Sequence, residues 1–219
     1  MIHLFALLSL LLCGVCYTGF QNSSHFRNTG SRRSLLLLVF GSALLLRLLL
    51  AYTTHGFSND IACFAAWADR IFTLGPGQFY SAEMFTDYPP GFMYVLYLIG
   101  ALRSLLQIPY YSDLHILLLK LPAILCDIAC GFLLYREAVK RLHFSDLQGI
   151  FAASAYLFQP AVILNSSCWG QVDSVYTLMI ILMCLFLMKG NLLPAYAVYG
   201  LGVLLKPQML IFTPVLLTG

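Results

Sequence analysis

The chain alternates long, uninterrupted apolar runs with short polar intervals. Runs at residues 2–20, 34–53, 115–135, 147–164, 174–188 and 191–205 are continuous, LLLLVFGSALLLRLLLA being one of them. Continuous runs near about 20 residues mark helical spans, whereas the strands of a membrane barrel alternate over about ten. The pattern therefore predicts an all-α polytopic membrane protein. The longest polar-containing interval is SNDIACFAAWADRIFTLGPGQFYSAEMFTDYPP, from Ser58 to Pro90, and it holds four of the nine acidic residues: Asp60, Asp69, Glu83 and Asp87.

Composition agrees with a membrane location. The chain is 60% hydrophobic and 10% charged, against about a quarter charged in soluble domains. A net charge of +3 gives no sign of a nucleic-acid partner. The seven cysteines fall mostly inside apolar runs and none has a histidine at ligand spacing, so neither a zinc site nor a disulfide framework is expected. Cys126 and Cys130, one helical turn apart, read as buried small residues, and the sequons at Asn22 and Asn165 as chance.

The basic stretches set a topology. QNSSHFRNTGSRR carries Arg27, Arg32 and Arg33 and reads as cytoplasmic by the positive-inside rule. Residues 1–33 then form an extra apolar segment plus a basic loop, and residues 34–53 leave the cytoplasm. The acidic loop 54–88 follows on the outside. If residues 89–106 crossed the membrane, YREAVKR with Arg136, Lys140 and Arg141 would land outside, against the charge rule. The preferred reading has 89–106 in the interface or re-entering, with 115–135 running inward. Residues 147–164, 174–188 and 191–205 then run out, in and out, so that NSSCWGQVD at 165–173 and Lys206 share a face with Asp60.

Within the loop, Ser58 and Asn59 are expected to cap a helix over 60–73 that Gly75-Pro76-Gly77 ends. Phe64, Trp67 and Ile71 recur at helical spacing, as in a helix lying on a membrane surface. Asp60 falls in the first turn of that helix, as a general base or simply as a cap. Arg47, Lys120 and Asp127 lie inside apolar runs, where ionisable groups are usually paired. Lys120 and Asp127 stand seven positions apart, too far for direct contact, and Arg47 reads as lying near the outer end of its span.

The pieces NDIACFAAWADRIFTLGPGQFY, DYPPGFMYVLYLIG, LLKLPAILCDIACGFLLYREAVKR, WGQVDSVYTL and GLGVLLKPQ resemble, in order, the type-C (GT-C) membrane glycosyltransferases that use polyprenyl-phosphate sugars. The chain is most similar to bacterial mannosyltransferase-like proteins related to the second mannosyltransferase of GPI-anchor synthesis, and to their N-terminal half alone. The resemblance covers residues 34–219. It implies a GT-C helical bundle in the bacterial cell membrane, with a long first external loop of interfacial helices presenting an acidic residue, here Asp60, to the acceptor hydroxyl. The implied partners are a polyprenyl-phosphate sugar donor, a glycan, lipid or protein acceptor, and the bilayer; some members also use a divalent cation (Mg or Mn).

Inverting single displacement needs one base, since a phosphate leaves readily once its charge is compensated; glycoside hydrolysis needs two carboxylates. Asp87, before Tyr88-Pro89-Pro90, is read as a ligand for metal or acceptor, or as a cap. Lys206 is read as a counter-charge for the leaving phosphate, or as a snorkelling lysine. Trp169 would stack on a sugar while Gln171 and Asp173 bond its hydroxyls, the alternative being a polar hairpin with an aromatic anchor. A transporter or lipid flippase is the competing function, and an inactive fragment a third.

Overall fold

The computed structural model describes residues 29–81 and 85–218. The first apolar run, most of the basic loop after it, Cys13, Cys16, the sequon at Asn22 and Glu83 lie outside the described residues. Among the described residues every regular element is helical. Helix α1 is Thr29–Thr53 and α2 Ser58–Leu74; a 3₁₀ turn Pro76–Gln78 precedes α3, Pro90–Leu105. Then come α4 Asp113–Lys140, α5 Asp146–Leu157 and α6 Pro160–Ile163, which continues as a π-turn over Leu164–Trp169. Helices α7 Asp173–Leu187 and α8 Leu192–Leu205 precede a 3₁₀ stretch Pro207–Phe212 and α9, Thr213–Thr218.

Two of these helices, α1 (over Arg32–Thr53) and α4, are long and apolar enough to cross a membrane. The pair α5 and Pro160–Trp169, bent by 51°, makes a third if it is counted as one span. Helices α7 and α8 are apolar but shorter, at 15 and 14 residues, below the roughly 20 that a full crossing takes. Leucines that face away from the bundle, such as Leu37 and Leu193, are largely exposed, as expected of a surface covered by lipid.

Side-chain contacts order the helices into two ends. At one end, Arg32 near the start of α1 pairs with Asp146 at 3.2 Å, Tyr135 near the end of α4 donates to the same carboxylate at 3.0 Å, and Arg141 donates to the Met188 carbonyl. This basic end gathers the N-terminus of α1, the α4–α5 turn and the α7–α8 turn. At the other end, His55 approaches Asp113 at 3.6 Å, so α1 finishes where α4 begins.

Helices α2 and α3 lie side by side and run in the same direction. Phe64 packs edge-on against Phe92, with centroids 5.5 Å apart, and Arg103 ion-pairs with Asp69 further along. Gly100 permits the approach: a Cβ there would fall 2.4 Å from the Ala68 carbonyl oxygen. The start of α3 touches the end of α8 at Gly91 and Leu204, and its other end leads directly into α4. Both termini of α3 thus sit at the end of the bundle away from Arg32, so α3 does not traverse it. This agrees with the reading in which residues 89–106 stay on one side.

Phe64, Trp67 and Ile71 do not face a membrane surface; all three are buried, in a core shared with Phe92, Met93 and Leu96. Arg47 lies six residues before the end of α1, and its partner is a carboxylate on α4. The arginine is fully buried, its Nε 3.1 Å from Asp127 Oδ2, while Tyr156 and Ser174 donate to the other oxygen of that carboxylate. One buried pair therefore ties α1, α4, α5 and α7 together. Neither sequence spacing nor hydropathy pairs residues 80 positions apart. The five described cysteines are free thiols.

Candidate functional site

The end of the bundle away from Arg32 holds a pocket of about 490 Å³, lined among others by Asn59, Asp60, Asp87, Tyr88, Gln171 and Lys206. That volume falls in the range of about 300–1,000 Å³ typical of small-molecule sites. Segments from three distant parts of the chain meet there.

Helix α2 supplies Asp60. The helix begins at Ser58, two residues earlier than expected, and its N-cap is Phe57, with no side-chain cap. Neither Ser58 nor Asn59 caps it, and Asp60 does not cap it either. The first turn is instead anchored through the Phe57 N–H, which donates to the Trp169 carbonyl at 2.9 Å. Gly56 makes that approach feasible. It has φ +80°, and a Cβ there would meet the Trp169 carbonyl oxygen at 2.7 Å, a position and conformation suited to glycine.

The segment expected as a loop over 165–173 is partly helical: α6 and its π-turn carry the chain to Trp169, where left-handed Gly170 at φ +88° stops it. The indole Nε1 of Trp169 donates to Asp60 Oδ2 at 3.2 Å, and the Gln171 side-chain amide donates to the same oxygen. The other side of that amide accepts from the Tyr88 hydroxyl at 3.4 Å. Gln171 is thus oriented by a donor behind it and an acceptor ahead of it. Burial, then the carboxylates of Asp173, Asp87 and Asp60, push the Tyr88 phenol above its ordinary 10.0, so Tyr88 remains a protonated donor at neutral pH.

Lys206, just past α8, reaches the same region. It is mostly buried, so it does not snorkel; it ion-pairs with Asp173 and lies 5.7 Å from the ring centroids of Tyr88 and Tyr176. Asp173 also accepts from Asn165 at 2.9 Å. Asp173 therefore holds Lys206 and is not itself part of the pocket lining. Trp169 likewise lies beside the pocket, half exposed, with its ring 5.4 Å from Phe57.

Asp87 lines the pocket from the segment that returns from α2 to α3. Pro89 is the N-cap of α3 and makes no side-chain cap bond, so Asp87 does not cap that helix. The returning segment is tied down at several points. Trp67 donates to the Phe85 carbonyl at 3.1 Å, Arg70 to the Phe79 carbonyl at 3.1 Å, and Tyr80 to the Tyr88 carbonyl at 3.0 Å.

All seven expected site residues are therefore within one neighbourhood, five at the pocket wall and two behind it. The expectations passed over Cys63, Phe64, Trp67, Phe85 and Gln208, which also line the pocket. The first three were legible: with Asn59 and Asp60 they recur every three or four positions on one helical face. Burial, followed by the nearby charges of Asp87 and Asp60, pushes the Cys63 thiol above its ordinary value. Comparison of the chain with protein-family models, with curated proteins and with solved structures returns no match.

Proposed function

We propose that the chain is a membrane glycosyltransferase of GT-C type that moves a sugar, mannose by the sequence resemblance, from a polyprenyl-phosphate donor to a hydroxyl acceptor. The observation that carries this reading is the arrangement around Asp60. Two N–H donors, from Trp169 and Gln171, fix one carboxylate oxygen, while the residue opens into a pocket that also contains the Lys206 cation. A carboxylate held in this way presents its remaining oxygen to an acceptor hydroxyl. Asp60 takes the proton, the acceptor oxygen bonds to the anomeric carbon, and the carbon–oxygen bond to the lipid phosphate breaks with its electron pair going to the phosphate. The configuration inverts. Lys206 keeps ammonium protons beyond its bond to Asp173 and stabilises the charge that develops on the phosphate.

In this reading the bundle is polytopic in a bacterial cell membrane. Arg32, Arg33, Lys140, Arg141 and Lys189 lie at or next to the basic end, which the positive-inside rule assigns to the cytoplasm. The pocket then opens on the extracytoplasmic face, where a glycan, lipid or protein acceptor is met.

Among the described residues no three His, Cys, Asp or Glu side chains form a metal-binding group. Asp87 at the pocket wall would hold a Mg or Mn cation, which binds through one or two carboxylates plus substrate phosphate oxygens. Bound there, such a cation would supply further compensation of phosphate charge.

A transporter would gather its polar groups at mid-bundle; here the pocket lies at one end, and the buried pair Arg47–Asp127 is engaged in bonds between helices. The test is to incubate the purified protein in liposomes with polyprenyl-phosphate mannose and hydroxyl acceptors. A glycoside with inverted anomeric configuration is expected. Movement of the donor lipid between leaflets without any glycoside would overturn the reading in favour of a flippase.

A further inference from the structure

Lys120 has no exposed surface and lies on α4 outside the pocket lining. Its ammonium donates to the Ala51 carbonyl at 3.2 Å, the Thr54 carbonyl at 2.6 Å, the Thr54 hydroxyl at 3.1 Å and the Ser167 carbonyl at 3.0 Å. Among the described residues no carboxylate pairs with it. Its partners are carbonyls at the C-terminal end of α1 and in the last turn before Trp169. Helix C-termini leave such carbonyls without intrahelical donors and carry partial negative charge. A tetrahedral ammonium can serve several convergent acceptors at once, which a neutral side chain of that length cannot.

The consequence reaches Asp60 through the backbone. Ser167 sits in the turn that ends with Trp169, and Thr54 leads into Gly56 and Phe57, whose N–H is bonded to the Trp169 carbonyl. Gly170 passes close to the lysine stem: a Cβ on it would lie 3.4 Å from Lys120 Cε. We infer that Lys120 is a positioning residue for Asp60, its ammonium drawing the end of α1 and the Trp169 turn together so that Trp169 and Gln171 meet the carboxylate. The inference rests on the reading of Asp60 as the base for its effect on rate. The geometry it predicts can be measured without substrate.

The experiment uses the full chain with Lys120→Met, which keeps the stem and removes the donors, beside Lys120→Arg, which keeps charge and donors. The chain has two tryptophans; Trp67 is buried and Trp169 half exposed, so acrylamide-quenchable emission reports Trp169. In a folded Lys120→Met protein, Trp169 emission shifts to the red and quenches more readily. The turnover number falls about hundredfold with KM little changed, and Lys120→Arg restores part of both. A folded Lys120→Met protein with wild-type quenching overturns the inference whatever its activity. Should Lys120→Met fail to fold, Lys120→Gln takes its place under the same readouts; loss of fold in both makes Lys120 a purely structural residue and also overturns it. A wild-type chain that transfers no sugar would sink the role of Asp60 alone, and the quenching would still decide whether Lys120 positions the turn.

Discussion

The indole nitrogen of Trp169 donates a hydrogen bond to the carboxylate of Asp60 at 3.2 Å, joining residues 109 positions apart. That bond connects the first helix after the α1 span to the break between α6 and α7. It turns two separate polar intervals into one site.

Replacing Trp169 with Phe keeps an aromatic ring near Phe57 while removing the indole N–H and one of the two fused rings. The loosened carboxylate no longer faces the acceptor hydroxyl in one orientation, so the turnover number for sugar transfer is expected to fall by up to about 10²-fold. Steady-state kinetics on the purified variant check this. An unchanged rate would show that Gln171 alone holds Asp60.

Much of this site was legible before any coordinates. Charge asymmetry among the intervals assigned ends to the helices, and that placed Asp60, Trp169 and Lys206 together. What the sequence left out was direction and depth. The stripe of Phe64, Trp67 and Ile71 has the same spacing whether it faces lipid or α3, and only the presence of Phe92 and Leu96 opposite makes it core. The Arg47–Asp127 pair depends on the relative height of two helices, which hydropathy does not encode. A π-turn at Leu164–Trp169 stands in place of the expected loop; Ser166 and Ser167 are buried there, Ser166 donates to the Val162 carbonyl and Asn165 to Asp173.

Cys63 offers a pH-dependent probe of the pocket. Burial, Asp87 and Asp60 all raise its thiol, and the thiolate is the species that alkylates. Its iodoacetamide labelling, followed by peptide mass spectrometry, should rise with a midpoint above the ordinary 9.0. In Asp60→Asn that midpoint should move down, because one of the raising charges is gone. A midpoint at or below 9.0 in the wild-type chain would contradict the described surroundings.

The buried pair Arg47–Asp127 makes a non-additive prediction. Removing one partner strands a buried charge, at a cost of about 3–5 kcal/mol. Arg47→Leu and Asp127→Leu should each lower the thermal midpoint in detergent, and the double variant should recover part of the loss. Additive losses would mean that the two charges do not interact.

Topology is tested by labelling. In a background without the seven native cysteines, cysteines placed at the exposed positions Gln78 and Lys189 should react with an impermeant maleimide from opposite faces of sealed vesicles. Labelling of both from one face would break the assignment of the pocket to the outer side.

The most direct measurement is the rate of mannose transfer from a polyprenyl-phosphate donor by Asp60→Asn beside the unmodified chain. Loss of a general base should lower the turnover number by about 10²–10⁴-fold while the thermal midpoint stays near that of the parent. Equal turnover numbers for the two proteins would contradict the assignment of Asp60 as the base.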